Sequence, residues 1–471
     1  MYHLQYRWKL NSNSLDYYGM RSKPYLFKNH LKISKQDYQL LASLPRVLTE
    51  HELSIIKPWI EQGIVVKPEQ LKHPRHNLQD AQFCMTCVAN DFIIPGLEFD
   101  QQGRCPMCQS ISDVKDMKSV LPLINHIKKA KHSRFDIALF YTGGKDSSYL
   151  LYHLSKVLNL RVLALTWEIP FMSESARQSI ENAKKRLQNV EFVTRKVQDV
   201  DLLKIYHQLY KLENNTCACP SLAYVLFYPL MVSEKVPYFV LGNEPVQMMN
   251  LYFNHLAPKA AYKKTNHTII RYVVNTARLL TLRKPYKTGQ FESIMTMRQL
   301  AYGDSILKKM SGYENTLVSH VTASLHEVPE LLRPLKKSIR YSSLTGQVPA
   351  FVHVDFNDIS GGHYDWNAVK QLIETEVGWV PPSVVGKGLH TSCTIEKCKE
   401  YTQFMNFFEM KTAMIPFSSI EISLASYQRH IDREQAISEI NQHMGFTYIE
   451  VDECQIMKQY LNIIQKKTSE Q

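Results

Sequence analysis

The run from Phe135 to Ser148 (Phe-Asp-Ile-Ala-Leu-Phe-Tyr-Thr-Gly-Gly-Lys-Asp-Ser-Ser) constrains this chain more than any other stretch. Its apolar half predicts a buried strand over Ile137–Tyr141, and amphipathic spacing predicts a helix over Tyr149–Leu158. Thr142, Gly143, Gly144, Lys145, Asp146, Ser147 and Ser148 join the two. Two glycines let backbone N–H groups close on an anion, and a helix N-terminus adds partial positive charge. Lys145 supplies a mobile cation, while Ser147 and Ser148 offer hydroxyls to phosphate oxygens. Asp146 reads as a helix N-cap, as a carboxylate for Mg²⁺, or as both. The spacing is not the G-x-x-x-x-G-K-[ST] of nucleotide-hydrolysing loops.

Strands and helices alternate over residues 113–300. Val162–Thr166, Val190–Val193 and Tyr238–Gly242 read as short buried strands, and Ala176–Leu187 as an amphipathic helix. The pattern predicts an α/β fold with a parallel sheet and a ligand at the carboxyl ends of its strands. Thr166, Trp167 and Glu168 end one strand and suit adenine or ribose; a core role for Trp167 stays open. Gly242, Asn243 and Glu244 end another, with an amide and a carboxylate suited to Mg²⁺ or ribose.

At 471 residues the chain has room for two or three domains. Residues 1–78 read as helix–helix–strand: a helix over about Lys35–Leu44, a second opened by the Thr49–Glu52 capping box, and a strand at Ile64–Val66. That resembles a small winged-helix module, with a plain N-terminal extension as the other reading. Residues 79–112 hold Cys84, Cys87, Cys105 and Cys108. These two C-x-x-C knuckles, 17 residues apart, suit a tetrahedral zinc ribbon whose closed shell makes it structural. A hairpin-like segment turning at Asp100–Gly103 is expected between them. Residues 301–471 read as mostly helical, with a strand-like piece at Ala350–Asp355 and a substrate-binding role.

Nine cysteines in short pairs favour metal or redox chemistry in a reducing cytoplasm over disulfides. No apolar run approaches the ~20 residues needed to cross a bilayer, so no membrane association is expected. The N-terminus has no signal-peptide pattern. A formal charge of +12 suits phosphorylated partners without choosing among ATP, nucleotide sugars and RNA.

The loop heptapeptide resembles the pyrophosphate loop of N-type ATP pyrophosphatases (PP-loop), whose fold is of the adenine nucleotide alpha hydrolase type. The resemblance implies ATP and Mg²⁺, attack on the α-phosphate by a substrate oxygen, and release of pyrophosphate and then AMP. Lys145 and Asp146 would be catalytic, and Thr142 to Ser148, Thr166 and Gly242 to Glu244 would hold the nucleotide. Within that superfamily the chain resembles N-acetyl sugar amidotransferases over about residues 80–445. The likeness rests on the zinc knuckles, Phe99-Asp-x-x-Gly103-x-Cys105, Thr166-Trp-Glu-Ile-Pro170 and the helix with Asn182. It continues at Gly242-Asn-Glu244, Gly378-Trp-Val-Pro-Pro382, Ser419–Ser423 and Asp432-Arg-Glu-Gln-Ala-Ile437. It implies nitrogen transfer to a sugar or small metabolite, with ammonia from a partner glutaminase.

Asn215-Thr-Cys217-Ala-Cys219-Pro220 departs from that branch and looks more like sulfur-transferring relatives that form thioamides or thiolate tRNA. Cys217 or Cys219 would carry a persulfide delivered by a sulfur-donor partner, to a metabolite, peptide or tRNA. Cys393 or Cys398 would bring a third sulfur, enough for an iron–sulfur cluster; ordinary burial is the competing reading. Between Pro245 and Phe291, eight basic residues and no acidic one are interleaved with tyrosines. Such a patch suits RNA, a nucleotide-sugar channel or a solvated helix face.

Overall fold

Apolar residues alternate with polar ones near the N-terminus, and there they form antiparallel strands. β1 (His3–Leu4) pairs with β5 (Val65–Val66), while β2 (Trp8–Asn11), β3 (Ser14–Tyr17) and β4 (His30–Lys32) make a three-stranded sheet. The expected helices are α1 (Lys35–Ala42) and α2 (Glu50–Glu61). Ser34 with Asp37, and Thr49 with Glu52, close reciprocal capping boxes that satisfy the first N–H groups of each. Trp8, Leu15, Tyr17, Leu41, Ile56 and Ile64 pack into one core beneath them, each fully buried side chain contributing roughly 1.5–3 kcal/mol. Sequence reading had passed over β1 to β4, because two- to four-residue strands carry too little periodicity to register.

The computed structural model describes the chain except residues 116–123, 214–217, 243–244, 255–263, 304–315, 384–387, 390–391, 448 and 470–471. The chain divides into two compact units. Met1–Val114 and Glu400–Glu450 make up most of the first, with α3 (Pro106–Lys115) starting at its end.

The second unit, formed mainly by residues Lys115–Tyr252 and Leu256–Lys399, is built on a parallel sheet. β6 (Ile137–Phe140) leads through the glycine loop into α4 (Lys145–Tyr152), which continues as a π-helical turn at His153–Val157. β7 (Val162–Trp167), α5 (Glu174–Arg186), β8 (Val190–Arg195), α6 (Asp199–Glu213), α7 (Cys219–Ser233) and β9 (Tyr238–Leu241) follow. Beyond them come α8 (Lys264–Leu280), α9 (Gln290–Tyr302), α10 (Pro329–Thr345), β10 (Ala350–Phe351), α11 (Phe356–Ile359) and α12 (Trp366–Glu376).

The five strands lie in the order β10-β9-β6-β7-β8, each neighbouring pair parallel. Every residue of β6 and β7 is buried, as covering on both faces requires. Phe140 meets Tyr224 of α7 edge-on at 5.3 Å and Phe239 of β9 at 6.1 Å. From β6 the chain first adds strands on one side, then returns to add β9 and β10 on the other. The carboxyl end of β6 is therefore a topological switch point, the place where open α/β sheets receive ligands.

Candidate functional site

At that switch point the loop takes the shape its glycines permit. Gly143 has φ +73°, and a Cβ there would stand 2.4 Å from the Ala176 carbonyl oxygen of α5. Gly144 is the N-cap of α4 with no side chain to cap it. The Thr142 N–H and hydroxyl meet the Ser147 hydroxyl at 3.3 and 3.2 Å, and the Gly144 N–H meets the Thr142 hydroxyl at 3.4 Å. These bonds curl the loop around the first turn of α4, where backbone N–H groups and the helix dipole favour an anion. Gly242 serves by closeness: a Cβ on it would lie 2.9 Å from Ser147 Cα, so the end of β9 rests directly on the helix start.

Two loop residues depart from expectation. Ser148 is fully buried with its hydroxyl 3.3 Å from that of Tyr141, so it faces the core rather than a phosphate. Lys145 is buried and engaged rather than reaching into solvent. Its side chain is 2% exposed, with Nζ 2.5 Å from Asp146 Oδ1 and 2.9 Å from the Tyr364 hydroxyl. The Tyr364 hydroxyl donates in turn to Asp146 Oδ1 at 2.7 Å. The Lys145 ammonium lies 4.5 Å from the Trp366 ring centroid, a cation–π contact. Asp365 caps α12 between these two aromatics, and the Tyr149 hydroxyl anchors the preceding turn on Ser360 at 2.8 Å. Sequence reading missed Tyr364 and Trp366. Their only signal was two aromatics flanking a helix cap just after Gly361-Gly362.

The other strand ends are partly committed to structure. The Thr166 hydroxyl donates to the Tyr141 carbonyl at 2.9 Å, tying β7 to β6, and Trp167 is buried. Glu168 pairs with Arg177 at 3.0 Å. Asn243 and Glu244 lie outside the described residues. Asp355 caps α11. Asn182 donates to the Gly378 carbonyl at 2.8 Å, so these two residues of the family likeness clasp α5 to the segment after α12.

Cys217 also lies outside the described residues. Cys219 opens α7 and is half-buried. Because α7 runs back toward the start of β9, its N-terminus belongs to the carboxyl edge of the sheet. Cys393 bridges Met172 in the loop from β7 to α5, with the Thr394 N–H donating to the Phe171 carbonyl at 2.8 Å. Cys398 is buried. Among the described residues these sulfurs form no metal-ligand group.

One such group does exist, in the first unit. The sulfurs of Cys84, Cys87, Cys105 and Cys108 all lie within 4.8 Å of one another, the Cys84–Cys108 and Cys87–Cys105 pairs at 3.9 and 3.7 Å. Four sulfurs bound at 2.3 Å to one tetrahedral ion would sit about 3.8 Å apart, so the set can hold a single metal ion. The Asp100–Gly103 turn is present, with Gly103 at φ +73°. The expected hairpin between the knuckles is not: the described residues there make helical turns with Phe92, Ile93 and Ile94 packed inward. Arg433, next to the Asp432 helix cap, donates to the Cys84 carbonyl at 3.0 Å and braces the first knuckle.

The basic patch is only partly a surface. Lys259 and Lys263 lie outside the described residues, and Arg278 is buried, its guanidinium 3.7 Å from the buried Tyr286 ring centroid. Arg271 bonds the Thr288 hydroxyl. No helix among the described residues is long and apolar enough to cross a membrane.

No protein-family model and no curated protein matches the chain. Among solved structures, the chain is similar to the U34-tRNA thiolase NcsA from Methanococcus maripaludis with its [4Fe-4S] cluster. The match has 14% identity and a TM-score of 0.20, over 56% of this chain and 86% of that one. A likeness of that size decides neither fold nor chemistry, which rest on the geometry above.

Proposed function

We propose that the second unit is an ATP-dependent enzyme of the PP-loop kind, which activates an acceptor oxygen by adenylation and releases pyrophosphate. The observation that carries this reading is the Thr142–Ser147 loop at the switch point of a parallel sheet, with Lys145 and Asp146 at the first turn of its helix. In the proposed chemistry the loop N–H groups, the Ser147 hydroxyl and Lys145 meet the charge that builds on departing pyrophosphate. Asp146 provides an oxygen suited to the Mg²⁺ that accompanies such phosphates. The acceptor carbon, made electrophilic, then loses AMP to an incoming nucleophile.

For that nucleophile, sulfur is the better reading and nitrogen the second. Cys219 stands at a helix N-terminus, where an anionic sulfur is best accommodated, and Cys393 is tied to the β7–α5 loop. On the nitrogen reading these cysteines would be incidental. A sulfur-donor protein is the implied partner of the first reading, a glutaminase of the second; a tRNA, a peptide or a small metabolite is the acceptor. Replacing Cys219 by serine tests the choice. Loss of product with AMP-forming activation retained supports sulfur transfer, and full turnover with ammonia as donor supports the amidotransferase.

The four-thiolate centre of the first unit is proposed to hold zinc in a structural role. Its closed shell and its 3.7–3.9 Å sulfur separations fit one ion better than a multi-iron cluster.

A further inference from the structure

The outer helices of the second unit carry a cluster that the loop chemistry does not use. Between α9, α10 and the turn after α8 lies an open hollow of about 400 Å³, lined by Arg283, Arg298, Tyr302, Arg340, Ser343 and Leu344 over Ile339. Arg298 and Tyr302 stand one turn apart on α9, and Arg340 and Leu344 one turn apart on α10. Arg283 follows Leu282, which holds a left-handed φ of 57° where glycine is usual, and the Arg283 N–H returns to the Arg278 carbonyl at 2.8 Å. A strained turn thus sets where Arg283 projects.

Three guanidiniums from three separate elements line one hollow, and among the described residues no carboxylate lines it with them. Among the described residues none of the three forms an ion pair. Tyr302 is 44% exposed, and both Arg298 and Lys336 approach its ring at 5.7 Å from the centroid. Like charges gathered in one hollow repel, and an anion entering it removes that penalty. Planar guanidinium forks match phosphate oxygens in pairs, and a tyrosine face beside them suits a base.

We propose that this hollow binds a nucleotide, free or as one unit of a single-stranded RNA. Its phosphate lies on Arg283, Arg298 and Arg340, and its base lies against Tyr302. The site does not depend on how the glycine loop is read.

The test uses the full chain, with UMP titrated by calorimetry and a short fluorescein-labelled single-stranded RNA followed by anisotropy. The double variant Arg298→Ala/Arg340→Ala is expected to weaken both probes at least tenfold and to lower the salt slope for RNA by about 0.7, one phosphate contact's worth. Tyr302→Ala weakens binding and Tyr302→Phe restores it, because stacking needs the ring and not the hydroxyl. Lys145→Ala leaves both affinities unchanged, which separates this site from the loop. Much tighter RNA binding identifies a chain as ligand, and comparable affinities identify a free nucleotide. Circular dichroism verifies folding, and the exposed single variant Arg340→Gln carries the test if the double variant fails to fold. Affinities unmoved by these substitutions, or no binding of either probe below millimolar concentration, overturn the proposal.

Discussion

The ammonium of Lys145 lies 2.9 Å from the hydroxyl of Tyr364, a residue 219 positions further along the chain. Both touch Asp146 Oδ1, so a loop lysine, its neighbouring carboxylate and a distant phenol form one closed hydrogen-bonded set. On the proposed chemistry Lys145 must exchange Asp146 for phosphate oxygens when ATP enters, and Tyr364 is the group that stays with it.

Tyr364→Phe is therefore expected to leave the fold intact and to lower the rate of AMP formation about tenfold or more, with a smaller change in ATP affinity. Steady-state turnover beside equilibrium ATP binding checks this. Trp366→Ala should cost about 3–5 kcal/mol of stability, since a fully buried indole is lost, while Trp366→Phe should recover much of it in thermal unfolding.

The glycine contacts give a prediction independent of charge. A methyl group at Gly242 would press on the Ser147 backbone at 2.9 Å, and one at Gly143 on the Ala176 carbonyl at 2.4 Å in a left-handed conformation. Gly242→Ala should weaken ATP binding although position 242 carries no side chain to lose. Gly143→Ala should do so and also lower stability, by roughly 1–2 kcal/mol for the backbone conformation alone. Calorimetric ATP titration of both variants measures it, and wild-type affinities would refute the close-packing account.

Much of this arrangement was legible in the sequence. The heptapeptide between an apolar run and an amphipathic run predicted the strand, the loop and the helix, because local periodicity and glycine chemistry dictate all three. The strand order could be sensed only as alternation; that β10 pairs at the far edge follows from long-range packing of Phe351 on Phe239 at 4.2 Å. The engaged state of Lys145 was not legible, since nothing near residue 145 encodes the aromatic pair at 364 and 366. The inward turn of Ser148 escaped for a different reason: its partner Tyr141 is only seven residues away, but the loop pattern does not say which of its two serine hydroxyls the core takes. The family-like residues Asn182, Gly378 and Arg433 proved to be clasps and braces, which sequence likeness alone cannot distinguish from ligands.

A buried histidine, His153, and a half-buried one, His353, give the second unit a pH dependence whose sign follows from their desolvation. Burial lowers the pKa of His153, and burial lowers that of His353 against the partial opposition of Asp355 and Asp358. The folded state thus prefers both rings neutral, and the unfolded chain takes up protons first as pH falls below about 6.5. Stability from these groups is present above that pH and lost below it. Thermal unfolding should show a falling Tm between pH 7 and pH 5, and a flat or rising Tm would contradict the assignment.

The cysteine centre predicts one metal ion per chain. Elemental analysis should find a single zinc, without visible absorption or acid-labile sulfide from this site, and Cys84→Ser should lower the metal content and destabilise the first unit. Four irons bound through these cysteines would contradict the single-ion geometry.

The central claim is that the turn after β6 holds the outer phosphates of ATP while the inner one is transferred. Product analysis of ATP with the wild-type chain and with Lys145→Ala, beside ATP affinity for each, tests it most directly. The account predicts AMP and pyrophosphate from the wild type, neither from the variant, and ATP binding weakened at least tenfold by the substitution. Formation of ADP, or AMP release that survives the loss of Lys145, would contradict it.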